Sequence, residues 1–176
     1  ERLAWRDAYR THAGFDPATA DEATISSTLG DAAAVVRDDR RAALDLVMAT
    51  LIEPKLGRGC WTILDAYPPE AAAQARIRRD GDGRAVAARF ELYRDGVELA
   101  NGYWELTDAR ELAARLDAEL AMRDDPSLVG DERFAAAMRA GLPECAGIAV
   151  GFDRVVMLAL GLDDIAATQA FDWGRS

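Results

Sequence analysis

Two hydrophobic periods divide this chain. Between residues 38 and 53, Ala42, Leu44, Val47, Met48 and Leu51 recur at helical spacing, and Pro54 ends the run. Leu3, Ala4, Ala8 and Tyr9 give residues 2–12 a shorter helical stripe, while residues 16–30 read as a loop with short helical turns. Residues 61–67 read as a strand stopped by Pro68-Pro69, residues 70–78 as a helical turn, and residues 80–83 as a flexible loop. The sharpest signal follows: residues 86–93 and 97–105 alternate as two strands about Asp95-Gly96, a hairpin turn pair. Thr107 or Asp108 caps a helix that runs to about Arg123, before Pro126, and residues 131–140 form another. Gly141-Leu142-Pro143 breaks the chain before a last strand and helix over residues 147–161. Antiparallel strands with intervening helices make an α+β domain.

Two of these segments carry chemistry. A two-residue turn at Asp95-Gly96 pairs Arg94 with Val97, Tyr93 with Glu98, and Glu91 with Ala100. Glu91 and Glu98 then become diagonal neighbours on one face. Two carboxylates so close repel unless a cation joins them, and magnesium on nucleotide phosphates suits such a pair because it takes oxygen ligands and few protein carboxylates. A solvated acidic face is the plainer explanation of the same pair. Asn101, Tyr103 and Glu105 share a face at period two and offer an amide, an aromatic wall and a carboxylate. Strict alternation puts this trio opposite Glu91 and Glu98, so a single pocket requires a bulge, expected around residues 100–102. In the last segment, the small residues Gly147, Ala149 and Gly151 leave one strand face bare, and Arg154 sits where strand passes to helix, a suitable place for a cation that meets phosphate. A buried strand and helix with a capping Asp is the bland alternative.

Bulk composition narrows the chemistry. The 176 residues suffice for one well-cored domain. No apolar run approaches the roughly 20 residues of a membrane span, and no signal peptide opens the chain, so the expected setting is cytoplasmic without membrane association. A formal charge of -10 argues against a broad nucleic-acid surface. Cys60 and Cys145 have no metal spacing and are expected to be buried, reduced thiols, and His12 is the only His. A Ser-His-Asp triad or a multi-His metal site is therefore excluded, which leaves carboxylates, Arg and bound metal.

The stretch Phe90-Glu-Leu-Tyr, then Gly96-Val-Glu-Leu-Ala-Asn-Gly-Tyr-Trp-Glu-Leu-Thr-Asp108, followed by Gly141-Leu-Pro-Glu-Cys-Ala-Gly-Ile-Ala-Val-Gly-Phe-Asp-Arg-Val-Val-Met157, resembles the lysyl branch of class II aminoacyl-tRNA synthetases. Within that branch it resembles the elongation factor P lysyl (β-lysine) ligase family. Asp16-Pro17, Glu53-Pro54 and Tyr67-Pro68 support the resemblance, which spans nearly the whole chain. It implies an antiparallel sheet flanked by helices, ATP and Mg2+ as cofactors, and activation of lysine or β-lysine as an adenylate. Arg154 would contact the ATP γ-phosphate and stack near adenine. Gly151 would let the nucleotide approach, and Glu91 and Glu98 would organise magnesium. Asn101 would position the substrate carboxylate, Tyr103 would wall its aliphatic stem, and Glu105 would pair with its distal ammonium. Ala149 stands where lysyl-tRNA synthetases have Gly and the modifying ligases have Ala, and its methyl group favours the ligase branch. Tyr103-Trp104 departs from the family's Phe and smaller neighbour.

The resemblance also implies an absence. The third class-defining motif lies at 141–161, whereas residues 1–38 supply neither the first nor the second motif. The expectation is that residues 1–176 form the C-terminal part of a catalytic domain, incomplete at its N-terminal side and unable alone to form adenylate at a useful rate. Elongation factor P is the favoured acceptor and tRNA a weaker one, with a homodimer expected if the upstream part is present. A lysyl-tRNA synthetase core fragment and a noncatalytic binding or assembly module are the competing readings.

Overall fold

Asp95 and Gly96 both adopt positive φ, 51° and 82°, the geometry of a tight turn whose twist matches that of the strands it joins. It connects β5 (Arg89–Arg94) to β6 (Val97–Trp104) in this computed structural model, which describes residues 1–36, 39–123 and 127–171. Arg94 pairs with Val97 and Tyr93 with Glu98, as the turn dictates. The register then slips. Leu92 faces Ala100 and Glu91 faces Asn101, so Leu99 is the extra residue of a β-bulge. The bulge comes one residue earlier than expected, and Glu91 opposes Asn101 rather than Ala100. A distant bond accounts for the position: the Leu99 carbonyl accepts the Gly151 N–H at 2.9 Å.

The ribbon is the centre of a five-stranded sheet. From one edge the order is β1 (Arg2–Ala4), β2 (Thr62–Asp65), β5, β6 and β7 (Ala146–Val150). Every pairing is antiparallel except β1 on β2. Residues 2–4 were expected to be helical, but tertiary pairing overrides the local stripe. Arg2 pairs with Asp65 and the terminal ammonium donates to the Trp61 carbonyl at 2.7 Å, so helix α1 starts only at Trp5 (Trp5–His12).

Three other segments depart from the pattern of the sequence. The predicted strand over 86–93 is split: β4 (Ala85–Ala87) leaves the main sheet and pairs with β3 (Ile77–Arg79). Residues 70–78 are thus a short 3-10 turn (Pro69–Ala71) leading into a strand. The Asp80 carboxylate accepts backbone N–H groups of Asp82 and Arg84, which fixes the turn between β3 and β4. Within the expected loop at 16–30, Asp21 caps helix α2 (Glu22–Leu29) by accepting from Thr24 at 2.8 Å.

Three further helices start at carboxylate caps. Asp39 caps α3 (Arg40–Val47), Asp108 caps α4 (Ala109–Ala121), and Asp131 caps α5 (Glu132–Ala140). After α3 the chain widens into a π-turn (Met48–Ile52) and tightens into a 3-10 turn (Glu53–Lys55). Asp38 and Pro126, used in the sequence reading, lie outside the described residues. Helix α6 (Phe152–Ala159) closes the order. Among the described residues, no helix is long and apolar enough to cross a membrane.

Two hydrophobic clusters hold this arrangement, a large one against the sheet and a small one of Leu106, Leu112 and Met138. Tyr9 from α1, Val47 and Ile52 from α3 and its π-turn, and Leu64 and Tyr93 from the sheet are all buried in one cluster. Each large aliphatic group buried there contributes about 1.5–3 kcal/mol. The cover reaches β6, where Leu99 and Ala100 are still buried, and fails at β7. On β7, Ile148 and Val150 remain 58% and 54% exposed, and α6 buries no residue. One half of the sheet is therefore sealed by helices while the other half faces outward.

Candidate functional site

Directly opposed residues in a sheet share a face, so the register sorts the candidates without further assumption. One row across β5, β6 and β7 is Glu91, Asn101 and Ala149. A second, two residues along, is Arg89, Tyr103 and Gly147. The bulge returns Glu98, opposite Tyr93, to this same face. The two carboxylates and the Asn101–Glu105 trio thus occupy one surface, as a single pocket requires.

Glu91 lies at the sealed edge and is 7% exposed. One carboxylate oxygen accepts the phenol protons of Tyr67 and, at 2.7 Å, Tyr93. The other accepts from Arg89 and, at 3.3 Å, from the Asn101 amide. Four donors fill the lone pairs of a carboxylate. Burial first, and then the Glu91 charge, push both phenols well above the usual tyrosine range, so they remain proton donors.

Glu98 and Arg154 meet at the open edge. The Arg154 guanidinium donates to the Glu98 carbonyl at 2.8 Å and lies 3.5 Å from its carboxylate. Their side chains are 32% and 46% exposed, respectively, and can be reached by a ligand. Burial and then the nearby Glu91 push the Glu98 carboxyl upward, against the pull of Arg154. Gly151 precedes α6, and a β-carbon there would approach the Arg154 side chain to 3.2 Å. Its lack of a side chain therefore leaves Arg154 its position.

The Glu105 carboxylate accepts no hydrogen bond and joins no ion pair among the described residues. Its site is shaped by Gly147, where a β-carbon would stand 2.3 Å from one carboxylate oxygen. Gly102 is equally constrained: a β-carbon there would run into the Phe90 ring at 2.5 Å. Glycines at 147 and 102 thus allow β6 and β7 to close while a carboxylate and a ring lie against them.

Three groups escaped the sequence reading as site residues. Arg89 and Tyr93 stand two residues either side of Glu91, and the strand period alone places them on its face. Glu53 is different. It follows the π-turn, approaches the Tyr93 hydroxyl at 3.4 Å, and its carboxyl is pushed upward by burial and then by Glu91. No local pattern announces that approach, because it depends on the winding of a distant helix end. The two cysteines are free, but Cys60 is exposed, contrary to expectation, and Cys145 is half-buried.

The residues fit a magnesium ion in part. Glu98 is a half-buried carboxylate with an accessible oxygen. Glu91 could join it only by releasing one of its four donors, of which Asn101 is held at the longest distance. Among the described residues no group of three or more His, Cys, Asp or Glu side chains is placed to hold a metal. A cation here would therefore complete its shell with phosphate and water oxygens.

Known proteins resemble this chain along nearly its whole length. Residues 22–173 match the family of tRNA synthetases class II (D, K and N). An elongation factor P--(R)-beta-lysine ligase of Sodalis glossinidius (strain morsitans) is 41% identical over 180 residues, covering 97% of this chain and 54% of that protein. A Klebsiella pneumoniae (strain 342) protein of the same name is 37% identical over 183 residues, covering 100% of this chain and 56% of that protein. One from Salmonella dublin is 39% identical over 184 residues, with the same two coverages. The chain spans about half the length of the curated relatives it matches.

Proposed function

The chain belongs to the tRNA synthetase class II (D, K and N) family, and from that premise we propose that it carries the nucleotide and amino-acid face of an ATP-dependent ligase. In this reading (R)-β-lysine is activated as an adenylate and its acyl group passes to an amine of elongation factor P. Residues 1–176 then form part of a class II catalytic domain, with its third motif at 141–161.

The observation that carries the reading is the convergence of Glu98, Arg154, Asn101, Ala149 and Glu105 on one sheet face, with the Glu105 carboxylate left without a partner. An unpaired, half-buried carboxylate is costly unless a cation joins it. A lysine ammonium supplies that cation. Tyr103 would line the stem, and the Ala149 methyl beside Asn101 would narrow the space at the substrate's carboxylate end. The Asn101 amide, held on Glu91 only at 3.3 Å, would turn to the substrate carboxylate. Arg154 would leave Glu98 for the γ-phosphate, with Gly151 letting the nucleotide lie against the start of α6.

A carboxylate oxygen of the substrate attacks the α-phosphorus, the bond to the β-phosphate oxygen breaks, and pyrophosphate leaves. The acceptor amine then attacks the acyl carbonyl, loses a proton and displaces AMP. Magnesium, when bound, would neutralise phosphate charge, with Glu98 holding it and Glu91 joining once Asn101 has moved. The protein's share is positioning and charge compensation, with no nucleophilic side chain.

ATP–pyrophosphate exchange dependent on (R)-β-lysine tests this. It should be measured with this chain and with a longer form matching the relatives' full length. Exchange by the longer form, abolished by Glu105→Gln, is the expected result. No exchange by either form, with nucleotide binding retained, would overturn the enzymatic reading.

A further inference from the structure

Arg89 holds a position that neither the reaction nor the resemblance uses. It stands on β5 directly across from Tyr103, which in turn faces Gly147 on β7. Its guanidinium carbon lies 4.5 Å from the centre of the Tyr67 ring and 5.9 Å from that of Tyr103. It donates to the Ala71 carbonyl at 2.9 Å and to Glu91, while its Nε–H is buried without an acceptor among the described residues. A buried donor left unpaired is unfavourable, so hydrogen bonds to Ala71 and Glu91 do not by themselves account for the placement. Stacking between two rings is the evident cause.

Across the sheet the order is cation, ring, carboxylate. Arg89 lies over Tyr103 from the β5 side, and the Glu105 carboxylate lies over Gly147 on the other side. The charged partner of Arg89 is Glu91. Resting on the function proposed above, we infer that Arg89 is a positioning residue of the amino-acid pocket: it fixes the Tyr103 ring as the wall along which the substrate's stem lies, so that the ammonium reaches Glu105. It touches no reacting atom and acts through Tyr103 and Glu91.

Arg89→Lys tests this, because lysine keeps the charge but lacks the planar fork that stacks on a ring and bridges Ala71 to Glu91. The first readout needs no ligand. In aromatic NMR spectra the Tyr103 ring should give sharp, dispersed signals in the wild-type chain and averaged ones in the variant. The second is a split in affinity: the Kd for (R)-β-lysine should rise about tenfold, the scale of a lost desolvated cation–π contact, while the Kd for Mg·ATP stays within about twofold. Unchanged Tyr103 signals, or equal weakening of both ligands, would overturn the inference. A wild-type chain with an ordered Tyr103 that binds no lysine would instead contradict the proposed function, and the ring signals would still decide the role of Arg89.

Discussion

Glu91 and Glu98 share a ribbon and a face, but their surroundings are opposite. Glu91 sits under the helices that seal β2 and β5, with four donors on its two oxygens. Glu98 sits past the bulge, toward the uncovered half of the sheet, with Arg154 as its charged partner. The same side chain is a fixed internal anion in one place and an open ligand in the other. The difference comes from cover: α1, α3 and the π-turn close over one carboxylate and stop short of the other. A site assembled this way has a rigid end that organises it and an open end that exchanges ligands.

The largest effect should come from breaking the closed end. Glu91→Ala leaves Arg89 buried without its counter-charge and the Tyr67 phenol without an acceptor, with Tyr93 left only Glu53 at 3.4 Å. The expected loss is about 3–5 kcal/mol in urea unfolding, the scale of a broken buried ion pair. A loss below about 1 kcal/mol would show that Glu91 does not organise the sealed half.

Gly147→Ala sharpens the comparison from the other side. The new β-carbon would meet the end of the flexible Glu105 side chain, which can swing away. Stability should change by less than about 1 kcal/mol, whereas lysine affinity in calorimetric titration should fall about tenfold, or ~1.4 kcal/mol. Affinity left intact would mean that the Glu105 carboxylate does not receive the ammonium.

The smallest effect is expected at Glu98, and its sign depends on pH. A carboxyl raised in the folded state adds stability that is fully present below its unfolded pKa and is lost as pH rises through the folded value. Glu98→Gln removes that loss. At neutral pH it should be neutral or stabilising by less than about 1 kcal/mol, the range of partly exposed ion pairs, and below the ordinary carboxylate range the gain should vanish. Clear destabilisation at neutral pH, in melts across the pH range, would place Glu98 with Glu91 as a structural anion.

What could be read from the sequence follows from locality. The Asp95-Gly96 turn, a cap at Thr107 or Asp108, and the alternation through the ribbon are set by neighbours a few residues apart and were legible. The need for a bulge was legible too, because Glu98 and Asn101 could not otherwise share a face. Its position was not, because the Gly151 N–H that binds the Leu99 carbonyl comes from more than fifty residues away. Residues 2–4 became a strand for the same kind of reason, through Asp65. The saturation of the Glu91 carboxylate was not legible, since Tyr67 arrives from another element. Strand period grouped Asn101 with Glu105 and the strand-to-helix handover singled out Arg154, the family resemblance gave each an expected role, and the bulged ribbon sets Asn101 and Glu105 on the face of Glu98, the partner of Arg154.

The account rests on two ligands sharing that face, and amide chemical-shift mapping on this chain tests it most directly. Mg·ATP should perturb Glu98, Gly151 and Arg154, and (R)-β-lysine should perturb Asn101, Tyr103 and Glu105, with the sealed core around Tyr9 and Val47 unmoved by either. Shifts that scatter over both faces of the sheet, or that leave Glu98 and Arg154 untouched while nucleotide binds, would contradict it.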